Sequence, residues 1–445
     1  MKLMKTAGII AEYNPFHNGH RYQLEELRAR TGVDYIIIVM SGDFVQRGEP
    51  AIFDKYTRTR MALNAGADLV LELPAAFATS SAEDFAACGV ALLDKLGVVN
   101  MLCFGSECGD VAALEPVARL LAEEPEGYGK LLRERMSQGD SFPKAREWAV
   151  KEWMKMETSL LSSPNNILGI EYMKALLRRG SSIKPYTIQR SGQGYNDSDF
   201  GAAAMADGQV FASASAIRNA LRGNFPTRNA NNHAEMSGNR AGTGISRTIS
   251  EAIRAQTPDS TADDLTSLTP VFPDDLSALL NFRLLDLTAS GRNLTDFSDV
   301  SPELADRIQN RLLETASYTG RIEQLKTRQY TYTRISRALL HILLGTTTIQ
   351  IQDYRTHDYA SYARILGFRK SAAPLLSEIK KSSQIPLISK VADAEKILVE
   401  SSGDDSMALH SFRYDLHCSH VYQSVVYQKS GVLPRNEYTQ PIVIV

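Results

Sequence analysis

Short apolar segments alternate with longer amphipathic segments over the first 110 residues of the chain. Continuous apolar runs, rich in β-branched residues, predict buried strands at residues 8–12, 35–40, 68–73 and 98–104. Between these runs, apolar residues at helical spacing predict helices at residues 19–30, 55–65 and 79–96. Strands without a polar face that alternate with helices are typical of a parallel sheet covered by helices on both sides.

The pattern changes in the second half of the chain. Residues 110–180 are predicted to be mostly helical and residues 184–190 to form a further strand. Residues 224–247 are rich in Asn, Gly, Ser and Thr and poor in large apolar side chains, which indicates a linker or an insertion. From residue 252 onward the apolar repeats are helical, around residues 276–287, 308–313 and 335–344, and residues 419–445 are predicted to add a strand or two.

These patterns divide the chain into three parts. We predict an α/β domain at residues 1–222, a polar linker or insertion at residues 223–250, and a mainly α-helical domain at residues 251–445. Parallel α/β sheets bind their ligands beyond the carboxyl ends of the strands, where the strand order reverses. We therefore expect the functional site at the ends of the first few strands.

The composition excludes several classes of protein. Of the 445 residues, 43% are hydrophobic and 22% are charged, which is ordinary for a globular protein. A net charge of −2 excludes a basic coat for nucleic acid over the whole surface. Four cysteines without a C-x-x-C pair argue against a disulfide scaffold or a zinc ribbon. No apolar run approaches the length of a membrane span, so we predict a cytoplasmic protein without membrane contact.

The segment EYNPFHNGH, residues 12–20, lies where the first predicted strand ends and the first predicted helix begins. A helix N-terminus presents free backbone N–H groups and the positive end of the helix dipole, which favour phosphate. His17 and His20 can lie on the same side of one helical turn. Two imidazoles there can donate hydrogen bonds to a triphosphate and to the charge that develops as its α–β anhydride bond breaks. Spacing alone also permits a structural pair, in which one histidine caps the helix and the other packs.

Further short motifs follow along the chain. They read AEYNPFHNGH at residues 11–20, MSGDFVQRGEP at 40–50, DLVLELP at 68–74, FGSE at 104–107, PNNILG at 164–169, KPYT at 184–187, SASAIR at 213–218 and RQYTYTR at 328–334. HNGH resembles the HxGH signature of the nucleotidylyltransferase superfamily. The whole set resembles the tRNA(Met) cytidine acetate ligase family, over most of the chain outside the polar segment and the extreme tail.

The resemblance implies a fold and an activity. The fold would be a Rossmann-like parallel-sheet nucleotidylyltransferase domain of the HUP type, followed by a mainly helical tRNA-binding domain. The enzyme would activate acetate with ATP as acetyl-adenylate and acetylate the wobble cytidine of elongator tRNA(Met) to N4-acetylcytidine. ATP is therefore expected, accompanied by Mg²⁺, and we predict no metal site built by the protein itself.

The resemblance also assigns residues. His17 and His20 correspond to the catalytic pair, and the ATP-binding stretch corresponds to Ile10, Ala11, Glu12, Tyr13, Asn14, Pro15, Phe16, His17, Asn18, Gly19, His20, Arg21, Tyr22 and Gln23. The adenosine-contacting glycine, asparagine and arginine correspond to Gly105, Asn165 and Arg190, with Ser191 beside the arginine. The second signature of the superfamily, which closes over the triphosphate, corresponds to Ser213, Ser215 and Arg218.

These assignments agree with the chemistry of the side chains. Asn165 offers a donor and an acceptor to an adenine edge or a ribose hydroxyl, and Arg190 could fork onto phosphate. Arg47 lies in a polar loop after the second strand, and its guanidinium matches the geometry of a carboxylate such as acetate. Singly, each residue also fits a structural role: a turn glycine, a cap, a surface arginine or a pair between Arg47 and Glu49.

Positive charge is concentrated late in the chain. Residues 321–390 contain 12 Lys and Arg but only 4 Asp and Glu, a net charge of +8. Cations interleaved with aromatic residues suit RNA, because they bind phosphates while the rings stack on bases. We therefore predict RNA contacts from Arg328, Arg334, Arg337, Arg364, Arg369 and Lys370. Solvated helix faces with tyrosines in the core are the alternative.

Two other functions remain open from the residues alone. One is a nucleotidylyltransferase that transfers AMP or CMP to a small acceptor. The other is a non-catalytic RNA-binding protein that retains an inactive nucleotide site. Acetate-dependent exchange of pyrophosphate into ATP would separate the first from an acetate ligase. Undiminished function after His20→Ala, combined with loss of ATP binding, would support the second.

Overall fold

The computed structural model describes residues 4–155, 159–190, 211–224, 247–327, 329–403 and 406–445, with only the backbone described at 223–224, 247–249 and 266–267. Its strands are β1 (Thr6–Ala11), β2 (Tyr35–Ser41), β3 (Phe44–Val45), β4 (Glu49–Pro50), β5 (Leu69–Leu73), β6 (Met101–Ser106), β7 (Lys184–Gln189), β8 (Ala363–Phe368), β9 (Leu387–Ile388) and β10 (Val443–Ile444).

Helices fill most of the remaining chain. Up to the polar segment they are α1 (Asn18–Thr31), α2 (Lys55–Asn64), α3 (Ala75–Ala78), α4 (Ala82–Lys95), α5 (Val111–Glu123), α6 (Glu126–Ser137), α7 (Phe142–Met154), α8 (Pro164–Arg179) and α9 (Ala214–Asn224). Beyond it they are α10 (Arg247–Gln256), α11 (Asp259–Ser267), α12 (Ser277–Ala289), α13 (Pro302–Asn310), α14 (Tyr318–Leu325), α15 (Tyr332–Leu344), α16 (Thr348–Thr356), α17 (Ala373–Ser382), α18 (Val391–Ser402) and α19 (Met407–Ser430). None of the helices in these ranges is both long and apolar enough to cross a membrane.

β3 and β4 pair antiparallel as a separate two-stranded sheet. The other eight strands form one sheet in the order β10-β8-β5-β2-β1-β6-β7, with β9 beside β8. Neighbouring strands are parallel, except that β8 runs antiparallel to β5. The five strands predicted in the first 190 residues are present, and the predicted Rossmann-like architecture is confirmed. The chain leaves β1 for β2 on one side and later adds β6 on the other side, so the strand order reverses at β1.

Both faces of the central strands are buried, as their continuous apolar runs predict. On β2, Ile37 and Val39 contribute to one hydrophobic cluster, whereas Ile36 and Ile38 contribute to another on the opposite face. This alternation is the two-residue period of a strand. Helices α4 and α8 cover the first face, with Leu92 and Ile170 in its cluster. The sheet is therefore fixed from both sides, and its carboxyl edge is a rigid base for a ligand site.

The C-terminal part differs from the prediction in two places. Residues 251–445 are mainly helical, but they also supply β8, β9 and β10 to the main sheet, so the sheet does not end at residue 222. Residues 419–430, predicted as part of a strand region, belong to α19, because Tyr422 and Val425 lie one turn apart and bury the same helix face. Most of the predicted polar linker, residues 225–246, lies outside the described residues.

Candidate active site at the carboxyl edge of the sheet

An open cleft lies beyond the carboxyl ends of β1 and β6, where the strand order reverses. Its volume is about 1060 Å³, including the space open to solvent. Fifteen of the residues selected from the sequence line it: Ile10, Ala11, Glu12, Tyr13, Asn14, His17, His20, Gln23, Arg47, Gly105, Asn165, Arg190, Ser213, Ser215 and Arg218. Side chains 200 residues apart in the chain are therefore brought to one place.

The turn between β1 and α1 is held by buried polar contacts. Tyr13 has a positive φ of 49°, a conformation that is uncommon for a residue with a large side chain. The Asn14 side-chain oxygen accepts a hydrogen bond from the Ile52 backbone N–H at 2.8 Å. The buried Arg58 guanidinium donates to the carbonyl of Glu12 at 2.6 Å. These contacts fix the path of the chain into α1.

The two histidines of the HxGH motif cap α1 reciprocally. His17 is the N-cap, and its Nδ1 accepts a hydrogen bond from the Gly19 N–H at 3.0 Å. His20 Nδ1 accepts from the His17 N–H at 3.3 Å. Their rings are stacked with centroids 3.8 Å apart. Both histidines therefore have a structural role as caps of α1, but the capping bonds occupy only one nitrogen of each ring.

Both imidazoles are neutral at pH 7. Burial, with the nearby Arg190 and Arg218 cations, lowers the pKa of His17 to about 3. Burial and the proximity of His17 lower the pKa of His20 well below its ordinary value. A neutral ring whose Nδ1 accepts a hydrogen bond carries its proton on Nε2. Each histidine lining the cleft thus has an Nε2–H donor in addition to its capping nitrogen.

Arg218 brings a cation to the same turn. Its guanidinium donates to the Asn14 carbonyl at 2.6 Å and to the Ser215 hydroxyl at 3.1 Å. Ser213 accepts from the Ala216 N–H at 3.1 Å, which caps the start of α9. The Ser213–Arg218 motif therefore places a helix N-terminus and a guanidinium opposite the histidine pair, as expected for a site that binds several phosphates.

The β6 side of the cleft carries an amide and a second guanidinium. Asn165 starts α8 and accepts a hydrogen bond from Arg190 Nη1 at 3.3 Å. Gly105 leaves room for the arginine, because a Cβ there would lie 3.0 Å from Cγ of Arg190. Phe104, Leu168 and Tyr172 add apolar surface. This wall suits the flat, partly apolar surface of a nucleoside.

The half-buried Glu12 and Arg47 form the third wall. Glu12 accepts a hydrogen bond from the Gln46 backbone N–H at 2.8 Å. Burial raises the pKa of Glu12, although Arg218 and Arg47 oppose this shift. Gly48, which follows Arg47 in the chain, has a φ of +76°. It packs so closely on α15 that a Cβ at this position would lie 2.4 Å from the backbone N of Arg337. The Arg47 loop is therefore clamped between the cleft and α15.

Several predicted ATP contacts lie outside the cleft wall. Phe16 is fully buried in the core, and Pro15 is also buried. Asn18 donates to the Ala255 carbonyl at 3.1 Å, and Tyr22 packs against Phe211. Gly19 and Arg21 belong to the first turn of α1 without lining the cleft. Ser191 lies outside the described residues.

Eight residues that line the cleft were not assigned to a site from the sequence, although Gln46 and Glu49 belong to the polar loop of Arg47 that was expected to face the nucleotide. They are Val45, Gln46, Glu49, Phe85, Phe104, Leu168, Tyr172 and Ala214. Most are apolar or aromatic and carry no signal that separates a cleft wall from a core. Within the described part of the chain, no group of three or more His, Cys, Asp or Glu side chains is arranged to hold a metal ion.

The prediction that Arg364 contacts RNA is wrong. Its side chain is only 2% exposed and is paired with Glu72 at 3.0 Å and with Glu437. Arg364 lies on β8 opposite Glu72 of β5, so the charge that looked like part of a basic surface is a buried ion-pair partner. The neighbouring Tyr362 is also buried and donates to Asp415.

The other basic residues fall into two groups. Arg334 and Arg337 are on α15, which packs against the loop that carries Arg47. Arg334 lies over the Tyr330 ring at 4.9 Å, and Arg337 pairs with Asp299 at 2.8 Å.

Arg369 and Lys370 lie at the opposite edge of the sheet from the cleft. They follow the end of β8 that pairs with the start of β5, and the Arg369 N–H donates to the Asp68 carbonyl. Arg328 lies outside the described residues. RNA contacts from Arg334 and Arg337 remain a prediction, and contacts from Arg369 and Lys370 would be remote from the cleft.

Comparison with known proteins gives one consistent family. The family model for HIGH nucleotidyl transferases matches residues 4–435. The tRNA(Met) cytidine acetate ligase of Acetivibrio thermocellus is 38% identical, over 99% of this chain and 100% of that protein. That of Clostridium acetobutylicum is 37% identical over the same shares.

Solved structures agree with the sequence comparison. The apo crystal structure of Thermotoga maritima TmcAL matches with a TM-score of 0.86 at 32% identity, covering 99% of this chain and all of that one. The same protein bound with alpha-thio ATP matches with a TM-score of 0.84 at 30% identity and the same coverage. Since the similarity runs through the HxGH turn and almost the whole of both chains, this chain belongs to the tRNA(Met) cytidine acetate ligase family of HIGH nucleotidyl transferases.

Proposed function

We propose that this protein activates acetate with ATP and transfers the acetyl group to the wobble cytidine of elongator tRNA(Met). The observation that carries the proposal is the pair of neutral imidazoles capping α1 at the cleft, each with an Nε2–H donor. Membership of the ligase family and the binding of an ATP analogue by the Thermotoga maritima relative support it. The reaction would take place in the cytoplasm, where these substrates occur together.

In the first step, a carboxylate oxygen of acetate attacks the α-phosphorus of ATP and the bond to the bridging oxygen of the β-phosphate breaks. Acetyl-adenylate forms and pyrophosphate leaves. His17, His20 and Arg218 hold the triphosphate and donate to the oxygens on which charge develops. No protein nucleophile is required, because positioning and charge stabilisation lower this barrier.

Asn165 and Arg190, on the β6 wall, would bind the adenosine part. Arg47, on the third wall of the cleft, is the candidate partner of the acetate carboxylate, since a guanidinium binds a carboxylate through two parallel hydrogen bonds. Mg²⁺ would be held mainly by phosphate oxygens and water, which is how this ion usually accompanies a nucleotide.

In the second step, the exocyclic amine of cytidine attacks the acetyl carbonyl, the bond to the adenylate phosphate oxygen breaks, and AMP leaves as the amine loses a proton. The base must leave the anticodon stack to reach the cleft. Because α15 packs against the Arg47 loop, Arg334 is the best-placed of the predicted cations to bind the tRNA backbone near the cleft.

The test is exchange of labelled pyrophosphate into ATP with and without acetate. The proposal predicts exchange that requires acetate and that propionate supports less well. Exchange that needs another acid or a phosphorylated acceptor in place of acetate would favour a nucleotidylyltransferase that acts on a different substrate. No exchange with any acid, together with intact tRNA binding, would favour a non-catalytic RNA-binding protein.

A further inference from the structure

Glu107 lies just behind the nucleoside wall of the cleft and contacts it through α8. One carboxylate oxygen accepts hydrogen bonds from Asn165 Nδ2 at 2.7 Å and from the Asn165 backbone N–H at 3.3 Å. The other oxygen accepts from the Asn166 backbone N–H at 2.8 Å. Glu107 itself does not line the cleft, whereas Asn165 does. The Glu107 side chain thus holds both the first turn of α8 and the side-chain amide of Asn165, which faces the cleft.

The two neighbours of the Asn165 amide allow only one orientation. A carboxylate can only accept hydrogen bonds, and a guanidinium can only donate them. Nδ2 of Asn165 must therefore face Glu107, and Oδ1 must face Arg190, which donates to it at 3.3 Å. Turning the amide over would lose both bonds and place an N–H against the guanidinium and an oxygen against the carboxylate.

A fixed amide can distinguish purine bases. After these two bonds, Asn165 retains a second N–H and a second lone pair, in set positions. An asparagine reads adenine by accepting from its amino group and donating to a ring nitrogen, whereas guanine presents an acceptor in place of that amino group. The apolar surface of Phe104 and Tyr172 beside Asn165 suits the ring itself.

We infer that Glu107 is a positioning residue that orients the Asn165 amide and so makes the cleft prefer ATP to GTP. This inference rests on the proposed function, because it assumes that the cleft binds a purine nucleotide. Glu107 acts on the base only through Asn165 and takes no part in the acetyl transfer.

The test is Glu107→Gln in the full chain, with equilibrium binding of ATP and of GTP measured without acetate or tRNA. A glutamine has nearly the same shape but gives one acceptor oxygen in place of two, and its NH₂ can pair with Asn165 Oδ1 and stabilise the turned amide. We expect the Kd for ATP to rise about ten-fold or more and the preference for ATP over GTP to fall by a similar factor.

Asp110→Asn is the matched control. Asp110 caps the neighbouring helix α5 by accepting from the Ala112 N–H at 2.8 Å, so this change also removes a carboxylate at a helix N-terminus in the same loop. It does not contact Asn165, and ATP binding should stay within two-fold of wild type. An equal loss of ATP preference in both variants would mean a general effect on the loop and would overturn the inference.

Other outcomes are equally decisive. Unchanged preference in Glu107→Gln, or a wild-type protein that binds ATP and GTP equally, overturns the inference. If Glu107→Gln does not fold, Asn165→Ala is the second variant, because it keeps the hydrogen bonds between Glu107 and the backbone of α8. Asn165→Ala must then lose the preference for ATP over GTP. A retained preference would contradict the inference. Acetylation of tRNA by wild-type protein, assayed in parallel, decides the proposed function separately, because nucleotide binding does not depend on it.

Discussion

The His17 side chain has two roles that one substitution can separate. Its Nδ1 caps α1 by accepting the Gly19 N–H at 3.0 Å, and we assign its Nε2–H to the triphosphate. Asparagine is among the best N-cap residues, so Asn at position 17 can accept the same N–H through Oδ1. Its shorter side chain cannot place a donor where the imidazole Nε2–H lies. The burial that lowers the pKa of His17 to about 3 leaves the ring neutral at pH 7, so His17→Asn removes no charge.

The expected magnitudes follow from these contacts. With the cap retained, the free energy of unfolding should change by less than about 1 kcal/mol, whereas His17→Ala should lose about 1 kcal/mol. Removal of one donor to developing charge typically slows a reaction by about 10²–10³-fold, or roughly 3–4 kcal/mol of barrier. Both variants should therefore lose acetate-dependent exchange by similar factors despite different stabilities.

The assay is pyrophosphate exchange at saturating ATP and acetate, together with urea unfolding of each variant. tRNA binding, measured on the same samples, should be unchanged because we assign the histidines to the triphosphate and not to the tRNA backbone. An Asn variant with the wild-type exchange rate would refute the reasoning, since it would mean that the imidazole serves only to cap the helix.

Three further predictions concern charge. The pKa of His17 is about 3 in the folded protein and near 6.5 in an unfolded chain, so between these pH values only the unfolded chain takes up the proton. The free energy of unfolding should therefore fall by up to about 1.4 kcal/mol for each pH unit below 6.5 because of His17. Urea titrations at several pH values should show a shallower fall in His17→Asn. Arg364→Met leaves the buried Glu72 and Glu437 to share Lys55, which pairs with them at 2.8 and 3.1 Å, and removes the second buried cation of the cluster. The change should cost roughly 3–5 kcal/mol of stability, and calorimetry that shows an unchanged Tm would contradict the buried ion-pair assignment. Arg334→Gln should weaken tRNA binding and reduce the slope of log Kd against log salt concentration by about one. Lys370→Gln, at the opposite edge of the sheet, should leave both the Kd and the slope unchanged. Equal effects of the two variants in filter binding would show that α15 is not the RNA surface.

The features that the sequence predicts well are local ones. Strands β1, β2 and β5 follow from largely apolar runs, because a strand buried on both faces has few polar positions. Glu72 on β5 is an exception that is paired with buried cations. The histidine pair follows from a short motif at a strand–helix junction, where neighbours in the chain are neighbours in space. The capping bonds of His17 and His20 span only two and three residues, which is why the motif could suggest them.

The features that it predicts poorly depend on distant partners. Arg364 looks like a surface cation until β8 is placed against β5 and the tail brings Glu437, 73 residues away, to its guanidinium. Glu107 reaches Asn165 across 58 residues, and nothing in the FGSE motif indicates that contact. Charge counted along a chain therefore does not separate an RNA surface from a buried ion pair.

The proposed function requires that the cleft at the HxGH turn activate acetate and make its acetyl group available to tRNA. The most direct measurement is mass analysis of the nucleosides of elongator tRNA(Met) after incubation with the protein, ATP and ¹³C-labelled acetate. We expect N4-acetylcytidine carrying the label, formed at the wobble position only when ATP is present and absent with His20→Ala. An unmodified tRNA with the wild-type protein, or a labelled product formed without ATP, would contradict it.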